Sequence, residues 1–332
     1  MATIKDVAIA AKVSVATVSR VLNETGYVHE DTKTRVIKAM KTLNYRPNEV
    51  ARSLYHRESR LIGLLLPDIT NPFFPQLARG VEDEIHQHGF RLIFGNSDEN
   101  LEKELDYLQT FKQNQVVGVI SATNDPEATI NQDLSMPIVF LDRTGDEDEH
   151  VPSVFADSRK GGQLAASEMM KRNSKRITLI KGPAHLRTAK DRFNGALDIL
   201  SSADVDFHVL TTETFSFQEA QQRAEDLFSI YPKTDGIIAS NDIVATAILH
   251  EALKRGIQVP SDLQLIGFDD IPHSEWLFPP LSTIRQPVYE MGKEAAKLLL
   301  KLIKNEYIEK STVQLPVSFI ERQTTRKVDN NE

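Results

Sequence analysis

Ten residues follow, or open the helix after, segments that read as buried strands: Asn71, Phe73, Phe74, Asp142, Arg143, Arg192, Phe215, Asn241, Asp269 and Gln286. Open α/β sheets bind ligands beyond the carboxyl ends of their strands, so these positions are where a site belongs. Their chemistry fits one ligand class. Phe73, Phe74 and Phe215 offer flat apolar faces to the C–H surface of a sugar ring, with Phe217 an equally placed alternative to Phe215. The Asp, Arg, Asn and Gln side chains supply donors and acceptors for hydroxyls. Two Arg against two Asp leave the set formally neutral, which suits a neutral polyol better than a phosphate or a carboxylate. Taken singly, each residue has a plainer role. Asn71 and Pro72 can start a helix, Asp142 and Arg143 can form a surface ion pair of little worth, and Arg192 can be a solvated helix charge. Asn241, Asp269 and Gln286 can serve as turn residues. The conjunction points to a sugar.

A second group lies near the N-terminus. Val15, Ala16, Thr17, Ser19 and Arg20 are short, hydroxylated or cationic side chains on one predicted helix, suited to base edges and phosphates in a major groove. Apolar Val7, Ala8 and Ala11 fit a preceding short helix, while Val18, Val21 and Leu22 give the second its buried side. Val13 can plug the gap between them, and Ser14 is placed as N-cap of the second helix. His29 to Tyr45 reads as a third helix, with Val36, Ile37, Met40 and Leu43 inward and Lys33, Arg35, Lys38 and Lys41 outward. Charge agrees with this division. Residues 1–60 carry 11 Lys and Arg against 6 Asp and Glu, whereas the remainder carries 28 against 41 and brings the chain to −8. A basic head on an acidic body suits phosphate contact at one end only.

From Leu61 onward, buried strands alternate with amphipathic helices, which argues a parallel α/β sheet. Strands are expected at 62–66, 91–94, 116–120 and 137–141, with helices at 72–88 and 102–114. A second series starts near Gly161, with strands at 176–180, 208–210, 236–239 and 263–267 and helices between them. The helix 288–303 and a strand 313–319 follow. At 332 residues, 40% hydrophobic and 26% charged, the chain can bury a large core in more than one domain. It has no Cys, which fits a reducing compartment and excludes a thiolate metal site. Its N-terminus has no long apolar run, so neither signal peptide nor membrane span is expected. The His residues are scattered, no Ser sits in a nucleophile elbow, and no metal-ligand spacing occurs. Neither enzyme chemistry nor a cofactor is called for. Gly161-Gly162 reads as a place of close helix approach.

The stretches Ile4-Lys-Asp-Val-Ala8, Val13-Ser-Val-Ala-Thr-Val-Ser-Arg-Val-Leu-Asn23 and Asn44-Tyr-Arg-Pro-Asn48 resemble the LacI/GalR family of bacterial repressors, and the likeness continues through the chain. Lys12 stands where the family often has Gly. The resemblance implies a helix-turn-helix head at 1–47, a hinge at 48–60 and a two-lobed body at 61–332 of the periplasmic-binding-protein kind, built on two doubly wound parallel sheets. Lobe 1 is expected at about 61–160 and 290–320, and lobe 2 at about 161–289 and 321–332, with three crossovers between them. It further implies DNA contacts by Thr3, Lys5, Ser14, Asn23, Tyr27 and Asn48 beside the recognition helix. In the family the hinge becomes helical on operator DNA, pairs with its dimer mate and wedges a leucine into the minor groove, which would be Leu54 here with Ala51 facing the mate.

The body is similar to the periplasmic ribose-binding protein, through Asn-Pro-Phe-Phe, Leu-Asp-Arg, the helix-start Arg, Asn-Asp, Gly-Phe-Asp and Thr-Ile-x-Gln. The implied protein is a cytoplasmic, nucleoid-associated homodimer that binds a pseudo-palindromic operator and is released by D-ribose or a close relative. Another sugar, a purine or a phosphocarrier protein remains open as effector. A transport protein would show an export signal and no head, and an enzyme would show an acid–base pair in the cleft. The polar tail 322–332 lacks leucine heptads, so a tetramerising coiled coil is not expected.

Overall fold

Thr3 opens the first helix by a reciprocal cap. Its hydroxyl accepts from the Asp6 N–H, and the Asp6 carboxylate accepts from the Thr3 N–H at 2.8 Å. The computed structural model in which this is seen describes residues 2–23, 25–45, 59–122, 136–142 and 152–328. Helix α1 (Ile4–Ala11) ends at Lys12, whose backbone is left-handed at φ 54°. The turn then brings the Val13 N–H to the Ala8 carbonyl. Ser14 caps α2 (Val15–Asn23) as expected, accepting from the Thr17 N–H at 3.1 Å. The third helix, α3 (Glu30–Thr42), is shorter than the expected 29–45, because His29 is its N-cap and Leu43 its C-cap. Val7, Ala8, Ala11, Val18, Val36 and Ala39 form the core of this unit. Ala39 fills the place expected of Ile37, which is 41% exposed. Residues 1–60 form one compact unit and 61–332 another.

The body repeats one design twice. Strands β1 (Leu61–Leu66), β2 (Arg91–Asn96), β3 (Gly118–Ser121), β4 (Ile138–Leu141) and β5 (Ser153–Ala156) form a parallel sheet in the order β5-β4-β3-β1-β2. Helices α4 (Phe73–Gln87) and α5 (Leu101–Gln113) belong to this lobe. After Asp157 the chain enters α6 (Ser158–Lys171) and a second sheet. That sheet holds β6 (Arg176–Lys181), β7 (Asp206–Thr211), β8 (Gly236–Ile238), β9 (Gln264–Asp269) and β10 (Ser282–Arg285), in the order β10-β9-β8-β6-β7. Its helices are α6, α7 (Arg187–Leu200), α8 (Phe217–Ile230), α9 (Asp242–Lys254) and the short α10 (His273–Trp276). Each sheet reverses direction once, between β1 and β3 and between β6 and β8. Those reversals open a crevice at the carboxyl ends.

Three departures from the expectation follow from the same geometry. Strands β5 and β10 lie outside the expected set, because Ser153-Val-Phe-Ala156 and Ser282-Thr-Ile-Arg285 lack the continuous apolar run that marks the other short strands. Helix α11 (Val288–Ile303) does return to lobe 1, packing on α4. The single strand expected at 313–319, however, is two. β11 (Thr312–Leu315) joins the lobe 1 sheet beside β5, while β12 (Ser318–Ile320) pairs antiparallel with β10 in lobe 2. Pro316 stands between them, where no ladder donor is available. Lobe 1 therefore ends near 315, not 320, and the second sheet is mostly rather than wholly parallel. The chain passes between lobes at Asp157, at Gln286-Pro287 and at Pro316-Val317, giving the expected three crossovers.

The tail is stitched to lobe 2: Thr324 and Thr325 are buried, and the Thr324 hydroxyl accepts from the Ser282 N–H and donates to the Leu265 carbonyl. Among the described residues no helix is long and apolar enough to cross a membrane.

A lysine in the left-handed region carries a steric cost that glycine escapes, of about 1 kcal/mol. Lys12→Gly should accordingly slow amide exchange at Val7 and Val18 in the full-length chain by several-fold, and unchanged or faster exchange would show the turn to be unstrained.

Candidate functional site: an interlobe cleft and a helical DNA-binding face

Among the described residues, lobe 2 brings Arg192 and Asp269 to the cleft. Gly162 on α6 meets α7 so closely that an added Cβ would lie 2.0 Å from the Arg192 carbonyl oxygen, and Gly195 meets the Arg159 carbonyl in the same way. This close crossing fixes Arg192 at the start of α7, confirming Gly161-Gly162 as a close-approach site. The Arg192 side chain is 9% exposed. It donates to the Ser240 carbonyl at 2.9 Å, reaches the Asp269 carboxylate at 3.2 Å, and lies 4.0 Å over the Phe268 ring. Asp269 ends β9 in a left-handed conformation (φ 113°) and accepts from the Gln286 amide at 2.7 Å. Asn241 caps α9, its carbonyl accepting from the Val244 N–H at 2.8 Å. Phe215 is half-buried with its ring against Gly182, whereas Phe217 opens α8 on an exposed face. Of those two, Phe215 packs against the hydrophobic core of lobe 2.

Lobe 1 brings Asn71, Phe73, Phe74 and Asp142. The Asn71 carbonyl accepts from the Phe73 N–H at 3.1 Å, and α4 begins at Phe73 rather than at Pro72. Both phenylalanines are only 2% and 3% exposed, packed edge to face at 5.1 Å in a cluster that also takes in Ile271 of lobe 2. Their rings are buried at the junction of the two lobes. Asp142 is buried and left-handed (φ 65°). Arg143 lies outside the described residues. The His185 Nε2 of lobe 2 lies 3.6 Å from the Glu99 carboxylate of lobe 1.

The electrostatics tie the lobes together. Burial raises the Asp269 carboxyl to about 6; Arg192 opposes this, and the charge of Asp142 across the cleft adds to it. Several buried polar atoms at these strand ends also have no hydrogen-bond partner: the hydroxyls of Ser121, Ser158, Thr212 and Ser240, the Gln286 carbonyl and the Arg192 Nε. Buried polar groups ordinarily find partners, so this concentration marks a place built for a ligand rich in hydroxyls. The four hydroxyls were not anticipated, since a lone Ser or Thr after a strand carries no distinguishing signal.

The head presents its candidates on the surface. Val15, Ala16 and Arg20 are exposed along α2, and Thr17 and Ser19 are half-buried. The Thr17 and Ser14 hydroxyls bond each other at 2.9 Å, and the Asn23 amide donates to the Ser19 hydroxyl. Thr3 and Lys5 are exposed, and Tyr27 is 88% exposed. Asn48, Ala51 and Leu54 lie outside the described residues. Among the described residues no group of three or more His, Cys, Asp or Glu could hold a metal ion.

A helix-turn-helix head followed by a two-lobed binding body defines a ligand-sensing DNA-binding regulator. The chain belongs to the LacI family: residues 3–48 match the bacterial regulatory proteins of that family, and residues 59–323 match the periplasmic binding proteins and sugar-binding domain of the LacI family. It is 65% identical to the ribose operon repressor of Bacillus subtilis (strain 168), over 99% of this chain and 100% of that one, and 41% identical to the ribose operon repressor of Halalkalibacterium halodurans, over 100% and 99%. The lac repressor dimer bound to operator superposes with a TM-score of 0.87 at 25% identity, covering 97% of this chain and 98% of that one. A LacI family regulator of Enterococcus faecium with bound ribose does so at 0.70 and 32% identity, covering 80% and 98%. The chain is thus a transcriptional repressor and not an enzyme.

The raised Asp269 carboxyl has a consequence for stability. The native chain holds that proton between the unfolded value of 3.8 and about 6, so this group's contribution is favourable at low pH and is lost as pH rises through 6. Asp269→Asn should melt with the parent at about pH 3, below both values, and several degrees above it at pH 8, a gap on the order of 2–3 kcal/mol. Thermal melts at the two pH values check this; a gap of the same size at both would contradict it.

Proposed function

We propose that the protein represses transcription as a homodimer on a pseudo-palindromic operator and leaves it when D-ribose closes the cleft. The observation that carries the effector choice is the pairing of Asp142 and Asp269 across the lobes beside unpartnered buried hydroxyls. A neutral polyol can donate to both carboxylates and so favours their approach, whereas a phosphate or carboxylate would add a third negative charge. The names of the two ribose operon repressors and the ribose bound to the Enterococcus faecium protein support the same sugar.

On DNA, Val15 and Ala16 probe base edges, Thr17, Ser19 and Arg20 complete the recognition surface, and Thr3, Lys5, Ser14, Asn23, Tyr27 and Asn48 contact the operator around them. The paired hinges order in the minor groove, with Leu54 as the wedge and Ala51 against its mate. Closure of the lobes rotates them and breaks the hinge pairing. Exposed Trp276 and Phe278 on lobe 2, 72% and 88% accessible, offer apolar surface for dimerisation. A repressor of this kind works in the cytoplasm, on the nucleoid.

Operator binding followed by fluorescence anisotropy tests the proposal. Ribose should weaken affinity by roughly 1–3 kcal/mol, and deoxyribose should do far less, because a site that reads a hydroxyl is left unpaired without it. Arg20→Ala should reduce operator affinity at least tenfold with ribose binding unchanged, and affinity should fall steeply with salt as counterions are released. Salt-independent binding would overturn the DNA reading. If a purine or a phosphocarrier protein shifted operator affinity while ribose did not, the effector assignment would be replaced and the regulator would stand.

A further inference from the structure

Asp242 is the first residue of α9, directly after the N-cap Asn241. An acidic residue there is ordinarily explained by the helix dipole. Its surroundings say otherwise. The side chain is completely buried, and three donors from other segments converge on it. The Ile271 N–H donates to Oδ2 at 2.9 Å, the Ser274 hydroxyl to Oδ2 at 2.7 Å, and the Thr283 hydroxyl to Oδ1 at 2.6 Å. β9 passes so close that a Cβ on Gly267 would lie 2.1 Å from Oδ1. Two of the clasped segments carry cleft residues: Ile271 follows Asp269 by two positions, and Thr283 precedes Gln286 by three. Asp269 and Gln286 are themselves joined, by the 2.7 Å bond between their side chains.

The carboxyl is buried at a cost. Burial raises this carboxyl to about 7 and the charge of Asp269 adds to the rise, against the pull of the three hydrogen bonds. A buried acid that faces another acid is retained for what its acceptors hold in place.

We propose that Asp242 is a positioning residue of the effector cleft, its carboxylate clasping the loop after β9, α10 and β10 so that Asp269 and Gln286 meet the ligand in register. This rests on the reading of those two residues as sugar contacts. Asp242 touches the ligand at no point; it acts through its neighbours.

The test compares Asp242→Asn with Asp242→Leu in the full-length chain. Asparagine keeps an oxygen for Ile271 and Ser274, and the Thr283 hydroxyl can turn to accept from its amide; leucine keeps volume and loses every acceptor. Calorimetric titration with D-ribose should place Asp242→Asn within about threefold of the parent and Asp242→Leu at least about thirtyfold weaker, with operator affinity the same for all three. Equal binding by Asp242→Leu and the parent overturns the proposal. So does an equal loss in both variants, which would make charge rather than the clasp the operative feature. Should Asp242→Leu fail to fold, the Ser274→Ala, Thr283→Val double variant removes two of the three donors and must lose about tenfold in ribose affinity, or the clasp is refuted. If the parent itself binds no ribose, the sugar reading fails separately. Amide exchange at Ile271 then decides the clasp: it rises in Asp242→Leu but not in Asp242→Asn if the clasp is right.

Discussion

Asp142 and Asp269 stand on opposite lobes, both buried, near enough that the charge of one raises the carboxyl of the other. Two like charges out of water repel, and burial penalises each of them separately. Arg192 offsets part of the cost on one side only. Its guanidinium is engaged by the Ser240 carbonyl, the Phe268 face and Asp269, all of them in lobe 2. A closed cleft is therefore sustained best by a ligand that donates hydrogen bonds to both carboxylates without bringing a charge. Under the proposed function that constraint favours an uncharged hydrogen-bond donor and makes lobe closure the event the ligand controls.

The architecture delivers this contact twice over. Each sheet reverses at the same place in its strand order, and the crevice at each reversal faces the other lobe. Helix crossings without side chains, Gly162 and Gly195 in lobe 2, Gly80 and Gly292 in lobe 1, hold the flanking helices at fixed distances. The three strand crossovers are the places where one lobe can turn against the other, and Gln286, a partner of Asp269, sits on one of them. A ligand shifts such an equilibrium only by its difference in affinity for the two arrangements. In the proposed function, carboxylates bridged by the ligand's hydroxyls supply that difference.

The sequence is most legible where one side of an element is buried and the other is wet. Val7, Ala8 and Val18 announce the head because a helical period separates them from Lys5 and Arg20. The parallel strands announce themselves as short apolar runs. In β5 and β10, Ser153, Ser282, Thr283 and Arg285 break the apolar run, and the strand at 313–319 reads as continuous because Pro316 is permitted at a strand end as well as between two strands. Phe73 and Phe74 were placed correctly after β1, but their burial depends on Ile271, a contact across two lobes that periodicity cannot express. Asp242 carries no distinguishing signal in the sequence, because an acidic residue in a helix's first turn already has a local explanation. Its three donors lie 29 to 41 residues away. The tail was read only for what it lacks, and Thr324 is a structural hydroxyl bridging β9 and β10.

The central claim is that sugar and operator favour different arrangements of one protein, and linkage makes it measurable from the sugar's side. Calorimetric titration of D-ribose into the free protein and into the protein saturated with operator compares the two affinities directly. The account predicts weaker ribose binding on operator, by the same factor by which ribose weakens operator binding. Equal ribose affinity in both titrations would contradict it.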